Sequence, residues 1–191
     1  DFNLSLWPRR GVYDDYSVDA AGTVTLTSQD KVYNITGLPA ELTSPTQFIV
    51  IGAPNITVDG NNNTVNVGVT DYPGFVQNGR YEDEIDNTVS QPGCTIRNLT
   101  VDGTNGGLSN TGGWVCQKNF GYKNRKGSLI TVENCNSIGT IQGGSAGGIF
   151  GENANLESEG GEIAVTNSYS IGNIEGDFAG GIFGQNANNL S

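Results

Sequence analysis

The chain has 191 residues, with 20 acidic side chains against nine basic ones, no histidine and a formal net charge of −11. This acidic balance argues against nucleic acid and anionic lipid as general partners, and no apolar run approaches the ~18 residues of a membrane-spanning helix. With 29 glycines and only 35% hydrophobic residues, the composition favours short strands joined by tight turns over a bundle of helices.

Residues 1–50 contain no copy of the repeat that fills the rest of the chain. Within this segment, residues 23–27 and 48–51 have the composition of strands, and residues 38–42 predict a short helical turn. A stack of repeats needs its first unit covered, because an open strand edge recruits other strands. We therefore predict that residues 1–50 form an irregular N-terminal cap, with a subunit-contact arm as the alternative.

The next segment, residues 79–93, interrupts the repeat. Insertions in repeat proteins map to loops, often on the binding face. Four acidic side chains of this loop form a weak candidate binding site, because carboxylate oxygens suit a hard cation such as Ca²⁺: Glu82, Asp83, Glu84 and Asp86. Their spacing matches no known calcium loop, so a solvated acidic loop is the preferred interpretation and no metal site is predicted.

Basic side chains concentrate in residues 118–126, whereas residues 127–191 contain neither lysine nor arginine. This second weak candidate site is a basic contact loop formed by Lys118, Lys123, Arg125 and Lys126. A loop of this kind is suited to pack on an acidic neighbour. The alternative is a loop that only keeps the chain soluble, since isolated surface charges contribute little to binding or stability.

The repeat itself is clearest in residues 130–155 and 163–188, which are identical at 17 of 26 positions without a gap. A period of about 33 residues, such as separates these two copies, is typical of stacked structural units. Degenerate copies lie upstream, and the one that begins at Thr95 aligns with residues 131–134. Residues 51–191 are therefore predicted to be a run of stacked repeats of about 33 residues.

The apolar pattern within one unit indicates strands. Ile163 and Val165 alternate with small or polar residues, and Ile171 and Ile174 are predicted to join them in the core. A unit of this size cannot bury its apolar face alone, whereas stacking the next unit on it pairs every strand edge. The sequence therefore predicts an all-β fold, and specifically a right-handed parallel β-helix, which is a solenoid.

Identical residues of successive units are expected to stack along the axis of such a solenoid. Asn134 is expected over Asn167 and Asn153 over Asn186, in ladders that satisfy the amide groups. Sharp bends with positive φ are expected at the glycines of the repeat. These are Gly139, Gly172, the pair Gly147-Gly148 and the pair Gly180-Gly181.

The last repeat motif comes immediately before Ser191, and the chain contains no methionine. We therefore expect the repeats to continue beyond residue 191. A stack that ends here exposes the apolar tops of Ile174, Ile182 and Phe183, with no lysine, arginine or proline nearby to protect the edge. Downstream polypeptide or another subunit is expected to cover them, and the isolated chain is expected to self-associate.

The three cysteines, Cys94, Cys116 and Cys135, form no CxxC pair. With no histidine in the chain, this arrangement argues against a zinc site. Buried unpaired thiols are the preferred interpretation, with one disulfide and one free thiol as the alternative. The redox compartment stays open.

The motif that runs through Asn-Ser-Tyr-Ser-Ile-Gly to Ala-Gly-Gly-Ile-Phe-Gly resembles GLUG-type repeats, and residues 112–121 make it most similar to the β-helical proteins of large DNA viruses of algae and amoebae. The resemblance covers residues 55–191. It implies a β-helix and a role as a minor capsid or virion-surface protein. GLUG repeats also occur in secreted microbial surface proteins, which leaves a second interpretation open.

Catalysis is not predicted, and neither is a cofactor. The absence of histidine excludes Ser–His and Cys–His nucleophiles. Glycoside hydrolysis needs two carboxylates in one cleft, and Asp59 with Asp102 is the candidate pair. Each of them precedes a glycine, which is the ordinary position of aspartate in a turn.

These observations support three hypotheses of different classes. The first is a structural component of a virus particle, located in the virion, whose partners are other subunits or the rest of its own chain. The second is a secreted or cell-surface adhesin that binds glycans, which a groove lined by Tyr and Trp would favour. The third is a fragment of a polysaccharide-degrading enzyme.

Overall fold

The computed structural model of the chain describes residues 1–79 and 89–187. These residues form strands and no α-helix, which confirms the predicted all-β fold, and no helix among them is long and apolar enough to cross a membrane. The strands are β1 Phe2–Ser5, β2 Gly11–Val12, β3 Tyr16–Val18, β4 Val24–Leu26, β5 Val32–Gly37, β6 Ile49–Ile51, β7 Thr57–Asn66, β8 Val76–Gln77, β9 Thr95–Asp102, β10 Leu129–Ile138, β11 Glu162–Thr166 and β12 Tyr169–Ile171.

The strands form two sheets. The larger sheet has seven strands in the order β1-β5-β7-β9-β10-β11, with β12 also paired to β10, and all of its pairings are parallel. The second sheet has the order β2-β3-β4-β6-β8. Its first two pairings are antiparallel and its last two are parallel. From β4 to β9, consecutive strands along the chain alternate between the two sheets.

The spacing of the parallel strands is regular only near the C-terminus. Thr57 pairs with Val32 on one side and with Thr95 on the other, and the second interval along the chain is much longer than the first. Thr131 pairs with Thr95 and with Ala164, at intervals that are nearly equal. The predicted period therefore describes the last units, whereas upstream units differ in the length of their loops.

Three successive stretches of the chain pair with one another through parallel strands. We call residues 95–128 layer 1, residues 129–161 layer 2 and residues 162–187 layer 3. They begin at β9, β10 and β11, respectively. Beyond the named strands they are joined by further parallel bridges, among them Cys116 with Phe150 and Phe150 with Phe183.

An asparagine with positive φ lies at the bend of each long strand. Asn98, Asn134 and Asn167 occupy equivalent positions with φ of 54°, 51° and 48°, a left-handed conformation that asparagine tolerates better than other non-glycine residues. Asn134 Nδ2 donates a hydrogen bond to Asn98 Oδ1 at 2.9 Å. The bend residues therefore also bind one layer to the next.

The predicted contact between Asn153 and Asn186 is present, and it extends to a third asparagine. Asn186 Nδ2 donates to Asn153 Oδ1 at 3.3 Å, and Asn153 Nδ2 donates to Asn119 Oδ1 at 3.1 Å. All three residues have positive φ. One asparagine from each of the three layers thus satisfies the amide of its neighbour.

The bend at Asn134 also changes which residues of β10 face the core. Ile130 and Val132 are buried before the bend, and Cys135 and Ser137 are buried after it, so the inward alternation shifts by one position. The prediction that Ile171 lies in the core is consequently wrong. Ile171 is paired with Ile138, faces outward and is 57% exposed.

The glycines of the repeat act mainly through close approach. Gly139 has the predicted positive φ, 135°, but Gly172 does not. A Cβ atom on Gly172 would lie 2.0 Å from the Gly139 carbonyl oxygen, and one on Gly148 would lie 2.0 Å from that of Gly181. Glycine is required at Gly148 and Gly172 because the backbones of adjacent layers touch there.

Residues 1–50 contribute strands to both sheets. The segment between Leu6 and Val24 adds the antiparallel β2 and β3 at the edge of the second sheet, and Leu6 and Val18 are buried there. The helical turn predicted at residues 38–42 is absent, and Leu42 makes a parallel bridge with Val67 instead.

Candidate functional site

The basic loop packs on acidic residues of the next layer. Lys118 Nζ lies 3.4 Å from Glu152 Oε2, and Lys123 Nζ lies 3.7 Å from Glu157 Oε2. Lys123 also lies over the ring of Tyr122, 5.4 Å from its centroid. These two lysines of the predicted contact loop therefore join layer 1 to layer 2 within the chain.

The other two basic residues of the loop have exposed side chains. The backbone of Arg125 bridges Glu159 in parallel and Gly160 in an antiparallel arrangement, while its side chain and that of Lys126 reach solvent. The structure thus divides the predicted basic site: Lys118 and Lys123 form ion pairs between layers at the surface, and the side chains of Arg125 and Lys126 are exposed.

The predicted acidic loop residues Glu82, Asp83, Glu84 and Asp86 lie outside the described residues. Within residues 1–79 and 89–187, no group of three or more acidic, cysteine or histidine side chains is arranged to hold a metal ion.

Asp59 is bound by three donors. The Arg97 Nε atom donates to it at 2.8 Å, the Asn98 side chain at 3.2 Å and the Asn61 backbone at 2.8 Å. Burial raises the pKa of this carboxyl group, but hydrogen bonds from Asn61, Asn98 and Arg97 outweigh burial, so the net pKa is lowered. Asp59 is thus an ionised structural acceptor between β7 and β9.

The structure does not place Asp102 beside Asp59. Asp59 pairs with Arg97 of β9, and Asp102 lies further along that strand, a path of up to about 16 Å. Asp102 Oδ1 accepts hydrogen bonds from the backbone nitrogen and the hydroxyl group of Thr104, at 2.9 and 2.5 Å. The two carboxylates therefore serve two separate local contacts.

All three cysteines are free and buried, as the sequence analysis preferred. Burial raises the pKa of Cys94 to about 11 and that of Cys135 to about 12, and it raises the pKa of Cys116 well above its usual value. The thiols are therefore protonated at neutral pH and pack as small apolar groups.

Layer 3 exposes the residue types that layer 2 buries. Ile174 is 52% exposed although its partner Ile141 is 1% exposed, and Phe183 is 36% exposed although Phe150 is fully buried. This set of residues, which we call the C-terminal face, consists of Ile163, Val165, Ile174, Ala179, Ile182 and Phe183. The sequence predicted that Ile174, Ile182 and Phe183 are exposed here, and of these Ile182 is partly buried.

A hollow of about 480 Å³ lies on this face, lined by Ala154, Ile163, Phe183 and Ala187 among others. In layer 1, Phe120 follows the ladder residue Asn119 and is fully buried against Phe150. Alanine follows the ladder asparagine in the next two layers, so no aromatic ring fills the equivalent space. The hollow has the size and lining to accept an apolar side chain from outside.

The charges around the C-terminal face are acidic. Glu162, Glu175 and Asp177 are exposed in layer 3, and no lysine or arginine occurs after residue 126. This part of the molecule is suited to an apolar partner surface with basic residues.

The opposite edge of the two sheets carries a second exposed patch. Val12, at the end of the edge strand β2, is 91% exposed, and Tyr13 beside it is half-exposed and stacks on Tyr16 at 4.5 Å between ring centroids. Arg9 and Arg10 are also exposed, and we call Arg9, Arg10, Val12 and Tyr13 the N-terminal face. The sequence analysis treated this segment as a cap and did not single out these residues, because Val and Tyr are equally common in buried strands.

No family model matches the chain, and neither the curated proteins nor the solved structures include a significant match.

Proposed function

We propose that the chain is a right-handed parallel β-helix. Two observations support this fold: the large sheet is parallel throughout, and consecutive strands alternate between the two sheets from β4 to β8. Connections between parallel strands of one sheet are right-handed in about 98% of cases, because twisted strands pack back onto the sheet only in that sense. Circular dichroism dominated by β-structure, together with unfolding that spreads from one end, would support it.

The proposed role is that of a non-catalytic structural component of a virus particle that makes protein–protein contacts. The observation that carries the proposal is the C-terminal face, where Ile174 and Phe183 are exposed although the preceding layer buries their equivalents. Exposed apolar surfaces of this kind mark protein contacts.

The resemblance to GLUG-type repeats of large DNA viruses supplies the viral part of this proposal. The partners are other structural subunits or the rest of the same polypeptide, and the location is the virion. An extracellular or cell-surface location is the alternative that the same repeats imply.

Labelling of intact particles tests the proposal. Gold-conjugated antibodies raised against the chain are expected to mark purified virions of the source organism at regular positions, and cryo-imaging is expected to show neighbouring subunits around the label. Enrichment of the chain in the secreted fraction, with unlabelled virions, would overturn the proposed role.

A glycan-binding surface module is the second candidate, and one observation favours it. Phe2, Val12, Tyr13, Asp14 and Tyr16 help to line a shallow concavity of about 400 Å³, which combines aromatic rings with the exposed carboxylate of Asp14. The negative face of an aromatic ring attracts the C–H groups of a sugar, and a carboxylate accepts hydrogen bonds from its hydroxyl groups.

The matched pair Tyr13→Ala and Tyr169→Ala tests this candidate, because both tyrosines are exposed but only Tyr13 lines the concavity. A glycan that binds the native chain is expected to lose binding in Tyr13→Ala and to keep it in Tyr169→Ala. Equal binding by both variants, or no binding by the native chain across a broad glycan panel, would eliminate the concavity as a sugar site.

A further inference from the structure

Asparagine is followed directly by glycine at two places in the chain, Asn78-Gly79 and Asn105-Gly106. Such a pair is reactive, because a glycine has no side chain to keep its own backbone nitrogen away from the amide carbon of the asparagine. The structure gives the two pairs opposite surroundings, and these surroundings separate a protected asparagine from a reactive one.

Asn78 is buried, and both ends of its side-chain amide are bound. Its Nδ2 atom donates a hydrogen bond to the Gln91 carbonyl oxygen at 3.0 Å, and its Oδ1 atom accepts one from the Gln91 backbone nitrogen at 2.7 Å. Gly79 is buried as well. Water has little access to this pair, and a reaction of the amide would break both hydrogen bonds.

Asn105 lies at an exposed corner of layer 1. Its Nδ2 atom donates to Glu41 Oε1 at 3.3 Å, which is long for a hydrogen bond. The corner has neighbours on both sides, with the backbone of Val67 and Val69 before it and the side chain of Gln142 after it. The exposure of Asn105 is therefore a property of the side of the stack and not of its ends.

Packing requires the glycine that makes Asn105 reactive. A Cβ atom on Gly106 would lie 2.7 Å from the Val67 carbonyl oxygen and 2.8 Å from that of Val69, so no other residue fits there. The Gly106 nitrogen donates to the Gly103 carbonyl oxygen at 3.0 Å. This hydrogen bond has to open before the nitrogen reacts, and a turn at the surface opens locally at a small cost in free energy.

We propose that Asn105 is a site of spontaneous deamidation, with water as the co-reactant. The Gly106 nitrogen loses its proton and bonds to the side-chain amide carbon of Asn105. The bond from that carbon to Nδ2 breaks, so that ammonia leaves and a succinimide ring remains. Water then opens the ring at either carbonyl group, which leaves an aspartate or an isoaspartate at this position. The inference goes beyond the proposed function, because the reaction needs no partner.

The modification changes a contact between neighbouring turns of the stack. In the unmodified chain the Asn105 amide donates to the Glu41 carboxylate, whereas after deamidation two carboxylates lie there and repel each other. An isoaspartate also lengthens the main chain by one carbon, close to the hydrogen bond from the Gly107 nitrogen to the Val69 carbonyl oxygen at 2.9 Å. The modified chain is therefore expected to hold this corner less tightly.

Peptide mapping by mass spectrometry tests the proposal on the whole chain. After incubation at pH 8, the peptide that contains Asn105 is expected to gain the mass difference between an amide and a carboxyl group, and an isoaspartate methyltransferase is expected to label it. The same change at Asn78 is expected to be slower by about tenfold or more, because that pair reacts only when the structure opens. In denaturant, the two asparagines are expected to react at similar rates, since both precede glycine.

A second pair of variants tests the effect on the contact. Asn105→Asp has the charge of the product, and Asn105→Ala loses the same hydrogen bond without adding a charge. At low salt, Asn105→Asp is expected to melt at a lower temperature than Asn105→Ala, and adding Glu41→Gln to both is expected to remove the difference. Equal melting temperatures of Asn105→Asp and Asn105→Ala would overturn the predicted repulsion.

Asn105→Gln is the control for the assignment of the site, because the longer side chain forms the corresponding ring far more slowly. It is expected to abolish the rapid mass gain of this peptide. Equal rates at Asn78 and Asn105 in the native chain would overturn the proposal. So would an Asn105 that stays unmodified in the native chain for as long as the denatured chain needs to react.

Discussion

The Ser137 hydroxyl group lies 2.9 Å from that of Ser170, and this hydrogen bond joins layers 2 and 3 at positions that face inward. Ile138 and Ile171, the next residues along the two strands, face outward. Two small polar side chains therefore face inward at this point, while the large apolar side chains of Ile138 and Ile171 face outward. Substitutions at neighbouring positions should consequently have very different effects.

The first prediction compares Val132→Asp with Ile171→Asp. Val132 is fully buried, so an unpaired charge there is expected to lower the free energy of unfolding by more than about 3 kcal/mol. Ile171 is 57% exposed, and the same substitution is expected to cost about 0.5 kcal/mol. Urea unfolding checks both values, and equal losses would contradict the assignment of the two faces.

The second prediction concerns the bend at Asn134, which has φ of 51° and donates to Asn98. Asn134→Ala is expected to cost about 2 kcal/mol, because alanine resists the left-handed conformation and the hydrogen bond is lost. Asn134→Gly keeps the conformation and loses only the hydrogen bond, at a cost of about 1 kcal/mol. Thermal melts that rank glycine below alanine would argue against a role for the backbone conformation.

The sequence was sufficient to predict the features that repeat with a constant offset. Asn153 and Asn186 stack as expected because they occupy the same place in two copies of the repeat that align without a gap. The face of Ile171 was not predictable from alternation alone, because the left-handed bend at Asn134 and Asn167 shifts the inward positions by one. The shift arises from the backbone conformation at the asparagine. The residues before it and the residues after it each keep their own alternation of buried and exposed side chains.

The ion pairs were predictable only where the repeat has a constant offset. The contact of Lys118 with Glu152 joins corresponding positions of layers 1 and 2, so the repeat places the basic loop on acidic residues of layer 2. The charges alone do not distinguish this contact within the chain from a contact between subunits. The pairing of Asp59 with Arg97 lies in a part of the chain without a regular period. Loop lengths there determine the register, and loop lengths have no simple signature in composition.

The third prediction is that the chain does not degrade pectin, alginate or chitin-like polymers. Asp59 is held by Arg97, and Asp102 lies further along β9 with Thr104 as its partner. Incubation with each polymer is expected to release no reducing ends above the buffer control. Release that disappears in Asp59→Asn or Asp102→Asn would contradict the proposed non-catalytic role.

The fourth prediction concerns the reactivity of the cysteines. At pH 8 the native chain is expected to react slowly with a thiol reagent, because burial raises the pKa of Cys94 to about 11 and of Cys135 to about 12. In denaturant, all three thiols are expected to react within minutes. Rapid labelling of one thiol in the native chain would show that the layers open locally near that residue.

The fifth prediction is a pH dependence carried by Asp59. Its pKa in the folded chain is lowered below the ordinary value near 3.9, so its contribution to stability is complete above that value. The contribution is lost as the pH falls through the lowered pKa, because the protonated carboxyl group no longer attracts Arg97. Asp59→Asn is therefore expected to be less stable than the native chain at pH 6, with a difference that shrinks towards pH 3.

Arg97→Gln provides the matched control for this titration. It removes the cation that lies 2.8 Å from the Asp59 carboxylate, so it is expected to reduce the same pH-dependent difference while leaving the donors Asn61 and Asn98 in place. Urea unfolding of the native chain and both variants at pH 6, 4 and 3 measures the effect. A difference between the native chain and Asp59→Asn that is constant over this range would mean that the hydrogen bonds stabilise the fold equally with a neutral side chain, and that the ion pair between β7 and β9 contributes nothing.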